Sequence, residues 1–296
     1  MRRLRSLIIP LALVLPALVS LGQPAATADR LVDWGAAYSY SSDEDLDRNG
    51  PAGSVAVHHV DLNALAKRTV SPTDSFTYGF SAALTQLDAT AGTFLPDRLQ
   101  AYAVHLSGSR RLNEQWTATL TLRPGLYGDL EDIDSKTFNV PLLVAASCAV
   151  SRDLVWLVGI RADVYAEHPV LPLAGVRWRF APDWSLNLTF PRAGVQWRVK
   201  DGFSLDASAS IQGGTFRLTE NLGTPAGLAT GRLANTFLDY REIRAGIGAE
   251  LSLNEHTSIR LDVGAFLDRE FDYFDRGYTL DGGSGTFATI GLRSRF

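Results

Sequence analysis

The 296-residue chain is short of three things, and each shortage excludes something. It has one cysteine, Cys148, so neither an internal disulfide nor a cysteine-based metal centre can hold it together. It has no surplus of basic charge: 28 Lys and Arg against 32 Asp and Glu leave a net −4, which argues against a nucleic-acid partner. Beyond its first residues it also lacks long hydrophobic runs. The longest, Val140 to Val150, ends in Ser151-Arg152-Asp153, well short of the about 20 apolar residues a membrane-crossing helix needs. With a mean hydropathy of +0.00, a bundle of membrane helices is excluded.

What is present begins with a leader. Arg2, Arg3 and Arg5 precede an apolar stretch from Leu7 to Leu21, and Ala26-Thr27-Ala28 supplies a small-residue cleavage pattern. Residues 1–28 are therefore expected to be a signal peptide and 29–296 the mature chain. A single membrane anchor is the lesser reading, because Pro10 and Pro16 interrupt the stretch. Cleavage removes three basic residues and no acid, which moves the net charge from −4 to −7.

Downstream, apolar and polar residues alternate strictly. Trp184, Leu186, Leu188 and Phe190 oppose Ser185, Asn187 and Thr189; Phe203, Leu205, Ala207, Ala209 and Ile211 oppose Ser204, Asp206, Ser208 and Ser210. The pattern recurs over 116–126, 243–253 and 259–268, where Asp262 and Asp268 fall on the polar face. A period of two is the mark of β-strands with one apolar face. Most segments run to about ten residues, the length of a tilted strand that crosses a bilayer, whereas strands of soluble proteins cluster near five or six.

Connectors alternate as well. Short polar turns are expected at 71–74, 113–115, 151–153, 181–183, 201–202 and 254–256; longer connections at 41–52, 89–97, 129–136, 167–170, 219–234 and 272–284, with a tight bend at Pro191-Arg192. This asymmetry belongs to outer-membrane barrels, with short periplasmic turns and long outer loops. The fold expected is an all-β, antiparallel up-and-down transmembrane barrel of fourteen strands, with twelve as the alternative. A soluble periplasmic β protein is the rival architecture. The six tryptophans, Trp34, Trp116, Trp156, Trp178, Trp184 and Trp197, lie near the mature N-terminus or a short turn, as one periplasmic interfacial girdle requires. The chain ends in Phe296 on the face of Ile290 and Leu292, the position of the assembly signal read by the barrel-assembly machinery.

Two segments resemble a known family. Gly175-Val176-Arg177-Trp178-Arg179-Phe180-Ala181-Pro182-Asp183-Trp184 continuing to Phe190-Pro191-Arg192, and Asp239-Tyr240-Arg241 with Gly246, Gly264, Phe266 and Arg269-Glu270, are similar to stretches of an uncharacterised family of bacterial outer-membrane β-barrel proteins, a domain of unknown function. The resemblance covers roughly the C-terminal half. It implies fold and location in the bacterial outer membrane and brings no catalytic residue.

Chemistry is sparse. His105 and Ser107 share a strand face, as a base and nucleophile of an outer-membrane lipid hydrolase would, but Gly108 follows where the phospholipase pattern has asparagine. Two polar lumen residues are the favoured reading. Asp45-Leu46-Asp47-Arg48-Asn49-Gly50 matches the first half of a calcium loop, yet Ala56 stands where the bidentate acid belongs. A solvated acidic loop is favoured there over a divalent site. The remaining histidines, His58, His59, His168 and His256, have no metal-ligand spacing, and no glycine-rich loop has the context for a phosphate; no cofactor is expected.

On the polar faces, Arg123, Arg161, Arg177, Arg179, Arg198, Lys200, Arg244, Arg260, Arg293 and Arg295 outnumber Asp163, Asp206, Glu242, Glu250, Asp262 and Asp268. Such a lumen would favour anions if open, or form a charge ladder that fills the barrel. The two readings stand level, since fourteen strands fall between filled eight-stranded barrels and open 16-stranded porins. The expected role is a passive, porin-like channel or structural surface protein without catalysis, in contact with outer-membrane lipid. Its oligomeric state is open.

Overall fold

Alternating strands that face hydrocarbon can satisfy their backbone only by closing on themselves, because lipid offers no hydrogen bonds. The computed structural model, which describes residues 30–48, 50–226, 228 and 231–296, shows that closure. Seventeen β-segments form one sheet whose first and last members pair antiparallel, Asp33 opposite Arg295 and Ser41 opposite Phe287. In order they are β1 (Arg30–Asp47), β2 (Pro51–Thr69), β3 (Asp74–Ala89), β4 (Arg98–Arg111), β5 (Trp116–Leu122), β6 (Gly125–Gly128), β7 (Phe138–Asn139), β8 (Leu142–Ala149), β9 (Leu154–Ala162), β10 (Val170–Ala181), β11 (Trp184–Thr189), β12 (Arg192–Lys200), β13 (Phe203–Leu218), β14 (Thr236–Ser252), β15 (Thr257–Tyr273), β16 (Tyr278–Gly282) and β17 (Gly285–Arg295). Three pairs are broken staves: β5 with β6, β7 with β8, and β16 with β17. The staves therefore number fourteen.

Two of the breaks are at prolines, Pro124 and Pro141, which have no N–H for the ladder. Neighbouring backbone restores the bonding: the Val104 N–H donates to the Pro124 carbonyl at 2.9 Å and the Arg123 N–H to that of Pro141 at 3.0 Å. The short turns lie where the alternation puts them. Two of the long connections do not. Residues 41–47 and 51–52 continue β1 and β2, and 278–282 form β16, so the expected loops 41–52 and 272–284 shrink to their tips. Inward apolar residues, Leu46 and Leu280 among them, hold these stretches in the sheet.

The outer face is the apolar one. Phe80, Val104, Val158, Ile247, Leu261 and Ile290 are exposed along it, while the opposite parity of each strand is polar or buried. No soluble sandwich leaves a girdle of this kind open to water.

Stave length divides the barrel into two walls. β1 to β4 and β13 to β15 have 14 to 19 residues; β8 to β12 have 6 to 12. Crossing a bilayer takes about 9–11 residues of tilted strand, so the tall wall continues past it. There its inward side chains meet in a dry core that includes Leu46, Val55, Leu218, Tyr240, Phe271 and Leu280, joined by Leu95 and Leu233 from the connecting loops.

β13 enters this core at Gly213. Its φ of +130° is open to glycine alone, and an added Cβ would lie 1.9 Å from the Tyr240 carbonyl oxygen. Below Gly213 the strand alternates between exposed and half-buried; above it Thr215, Phe216, Arg217 and Leu218 are all buried. The strand's end is covered on both faces and meets Gly128 of β6 in a parallel bridge, the one such pairing among the described residues, opposite Arg217. Gly213→Val should cost more than about 1 kcal/mol. The fraction migrating as the compact species on an unheated denaturing gel, and the urea midpoint, should both fall.

Candidate functional site

The lumen is layered. At the short-turn end Asp33 pairs with Arg293 and with Arg295, and a water-accessible vestibule of about 290 Å³ is lined by Arg179, Gln196, Arg198, Lys200 and Glu250. Strand parity turns these residues inward because Trp178, Trp184 and Trp197 take the outer face.

Above the vestibule is a four-membered charge cluster. Arg192 donates to Asp206 at 2.9 Å and to Asp262 at 2.7 Å, while Arg260 donates to Asp206 at 2.5 Å and to Asp262 at 2.9 and 2.7 Å. The cluster needs Gly248, where an added Cβ would come within 2.5 Å of both Arg260 and Asp262.

One step higher, Glu242 is fully buried and accepts four hydrogen bonds: from Ser41 Oγ at 2.9 Å, Tyr240 OH at 3.1 Å, Arg244 Nε at 2.5 Å and Arg269 Nε at 2.8 Å. Arg244 also donates to Ser39 and Ser41, and Arg269 to the Val55 carbonyl at 2.8 Å. Two guanidiniums around one carboxylate are affordable in a dry site only with this many partners. The apolar core lies directly above.

A latch between the end of β13 and two connecting loops closes the core. Arg217 donates to Asp134 from Nε at 3.0 Å and from a terminal nitrogen at 2.7 Å. Asp129 accepts from the backbone N–H groups of Thr219 at 2.7 Å and Glu220 at 2.8 Å. Burial alone would raise the Asp134 carboxyl, but the Arg217 hydrogen bonds and the Lys136 N–H outweigh it and hold it below the ordinary aspartate range. Glu220 goes the other way: burial, then Asp97, Glu131 and Asp129, push it up.

Of the residues expected on the lumen, Arg161 pairs with Asp163, Arg179 with Asp153, Arg244 with Glu242, Arg260 with its two aspartates and Arg293 with Asp33. Arg123, Arg177 and Arg198 have no acid partner among the described residues. Asp268 is corrected: it lies outside the barrel, 3.5 Å from Arg241. A bulge at Leu267, where Ile243 faces Asp268 but Arg244 faces Phe266, shifts the parity and turns Arg269 inward instead. Alternation read straight through that bulge misses Arg269. It misses Arg192 too, because the tight bend is at Phe190-Pro191 and Arg192 already belongs to β12.

His105 and Ser107 do face the lumen, but the Ser107 hydroxyl is 2.8 Å from that of Thr121, and no hydrogen bond joins it to His105. Asp45 and Asp47 point outward from a continuous strand, which gives no convergent loop for a divalent ion. Trp116, Trp156, Trp178, Trp184 and Trp197 are exposed on the outer face, the last two stacked with ring centroids 5.7 Å apart; Trp34 is half-buried opposite Ser294. Phe296 is exposed, and its backbone exchanges two 2.9 Å hydrogen bonds with Val32 at the closing seam. Residues 1–28 lie outside the described residues.

Two expectations follow from this geometry. Glu242→Ala strands two buried guanidiniums and should destabilise the barrel by about 3–5 kcal/mol, seen as a lower urea midpoint at unchanged gel mobility below it. For the latch, Asp134 contributes stability at pH values above the ordinary aspartate range and loses it as pH falls through its depressed pKa. Glu220, raised, stabilises on protonation as pH falls through its own. Hydrogen-exchange protection of residues 129–137 and 219–220 should therefore rise on mild acidification and collapse on strong acidification.

Comparison with known proteins agrees with the geometry. The COG4313 outer membrane channel from Pseudomonas putida F1 superposes with a TM-score of 0.50 at 11% identity, covering 93% of this chain and 100% of that one. A FadL homologue from Pseudomonas aeruginosa matches at 10% identity and a TM-score of 0.47, over 90% of each chain. The first of these similarities speaks for the fold alone. A search of curated proteins finds no match. A family model described as a domain of unknown function, DUF6268, matches residues 42–279, and the chain belongs to that family.

Proposed function

We propose that this protein is a channel of the bacterial outer membrane, exported behind the 1–28 leader and closed at rest on its outer side. The observation that carries the reading is the contrast along the lumen. A water-accessible vestibule, in which Arg198 and Lys200 have no acid partner among the described residues, opens at the short-turn end, while the loop end is sealed by an apolar core under a polar latch. A purely structural barrel has no need of the vestibule. The fold shared with an outer membrane channel supports the same class. The ion-paired ladder supports a narrow path, and the unpaired arginines support a weak preference for anions along Arg123, Arg177 and Arg198. Trp34, Trp116, Trp156, Trp178, Trp184 and Trp197 serve as the periplasmic girdle, and Phe296 as the signal to the assembly machinery. The reading involves no catalysis.

Planar-bilayer recording tests this. The wild type should be closed for most of the record, and Arg217→Ala, which opens the latch, should raise the open time at least tenfold with anions carrying more current than cations. Silence from both proteins would favour a plugged structural barrel instead.

A further inference from the structure

The short wall has a gap in it. β11 has 6 residues and β12 has 9. β10 and β11 part above the pair Val176–Leu188, and β12 and β13 above Arg192–Ser210. Yet β10 continues to Val170 and β13 to Leu218. On the sides that face each other, β10 from 170 to 175 and β13 from 211 to 216 have no strand partner among the described residues. The gap is floored by the Phe190-Pro191 tip, where the Ile211 N–H reaches the Pro191 carbonyl at 2.9 Å. It is roofed by the Asp129 N–H on the Arg217 carbonyl at 3.1 Å and by Tyr165 stacked on Phe237 at 5.0 Å.

Depth makes this gap unusual. Six residues of strand reach about 20 Å, less when tilted, against an apolar band about 25 Å tall. The floor thus lies within the hydrocarbon layer. Open strand edges are not tolerated against lipid; they face water or a polar group. Immediately behind the floor is a chamber of about 170 Å³ lined by Arg192, Ser208, Ser210, Gln212, Arg244 and Asp262. With their ion-pair partners counted, four guanidiniums (Arg192, Arg244, Arg260, Arg269) against three carboxylates (Asp206, Glu242, Asp262) leave one positive charge at this level of the lumen. The rim is apolar: Leu188, Phe190, Ile211 and Val170 are all exposed.

We propose that the gap is a lateral portal between the lumen and the outer leaflet, and that it admits single-chain amphiphiles with one negative charge, an alkyl phosphate or an alkyl carboxylate. The head sits in the chamber, bonded by the serine hydroxyls, Gln212 and the guanidiniums. The chain leaves through the gap along the apolar rim. Gly213 and Gly214, without side chains, keep the opening clear. This assignment refines the channel reading by giving it a cargo and a side exit that bypasses the sealed outer end.

The test uses the full barrel in phosphatidylcholine vesicles, in a Cys148→Ser background with Leu188→Cys on the rim carrying an environment-sensitive fluorophore. Hexadecyl phosphate, which stays in the membrane, should give a saturable change in emission. Gln212→Trp, which fills the chamber, should weaken that response at least tenfold while keeping heat-modifiable migration on a gel. Inorganic phosphate at matched concentration should give none. A response to inorganic phosphate equal to that of the alkyl ester, a response only to water-soluble octyl phosphate, or an unchanged response in Gln212→Trp would each overturn the portal. The channel reading fails separately: a silent Arg217→Ala barrel that still binds hexadecyl phosphate removes the channel and keeps the portal, and a conducting barrel that binds nothing does the reverse.

Discussion

Everything in this molecule follows from the requirement that backbone N–H and C=O groups be paired where no water can reach them. It dictates the closed sheet, with β1 meeting β17 and the terminal Phe296 bonded both ways to Val32. It also governs the exceptions. At Pro124 and Pro141 the ladder is broken but neighbouring amides bridge it. Above Phe190-Pro191 nothing bridges it among the described residues, and the local surroundings change to match: a polar chamber inside and a covered strand end above.

The two walls divide the work. The tall wall surrounds a dry core in which Tyr240 and Phe271 stack at 5.0 Å, and this seals the outer end as firmly as the interior of a soluble protein. Beneath it the Glu242 ladder ties β1, β2, β14 and β15 together across the lumen, since Arg269 reaches both Glu242 and the Val55 carbonyl. Charge and apolar packing thus share one interior at different depths. The short wall contributes no such plug, and its lumen side keeps Arg177 and Arg198, which have no acid partner among the described residues.

Much of this was legible in the residues. Alternation and the spacing of turns give the strand number, and the tryptophans lie at the end they mark. Bulges hide the rest: straight alternation puts Asp268 inside and passes over Arg269, because one extra residue at Leu267 reverses the later side chains of β15. The outer hairpin tips read as irregular loops because strands above the membrane no longer need an apolar outer face; with Asp45 and Asp47 outside and Leu46 inside, their pattern inverts.

The sequence by itself determined the class of protein, since a period of two sustained over membrane-length segments admits few other solutions. Only the tertiary structure decided what fills the lumen. Apolar residues at the strand tops look alike whether they face lipid or one another, and which arginine finds which acid depends on register around a closed barrel. Bulges and the unequal height of the two walls set that register, and neither is written in any local pattern.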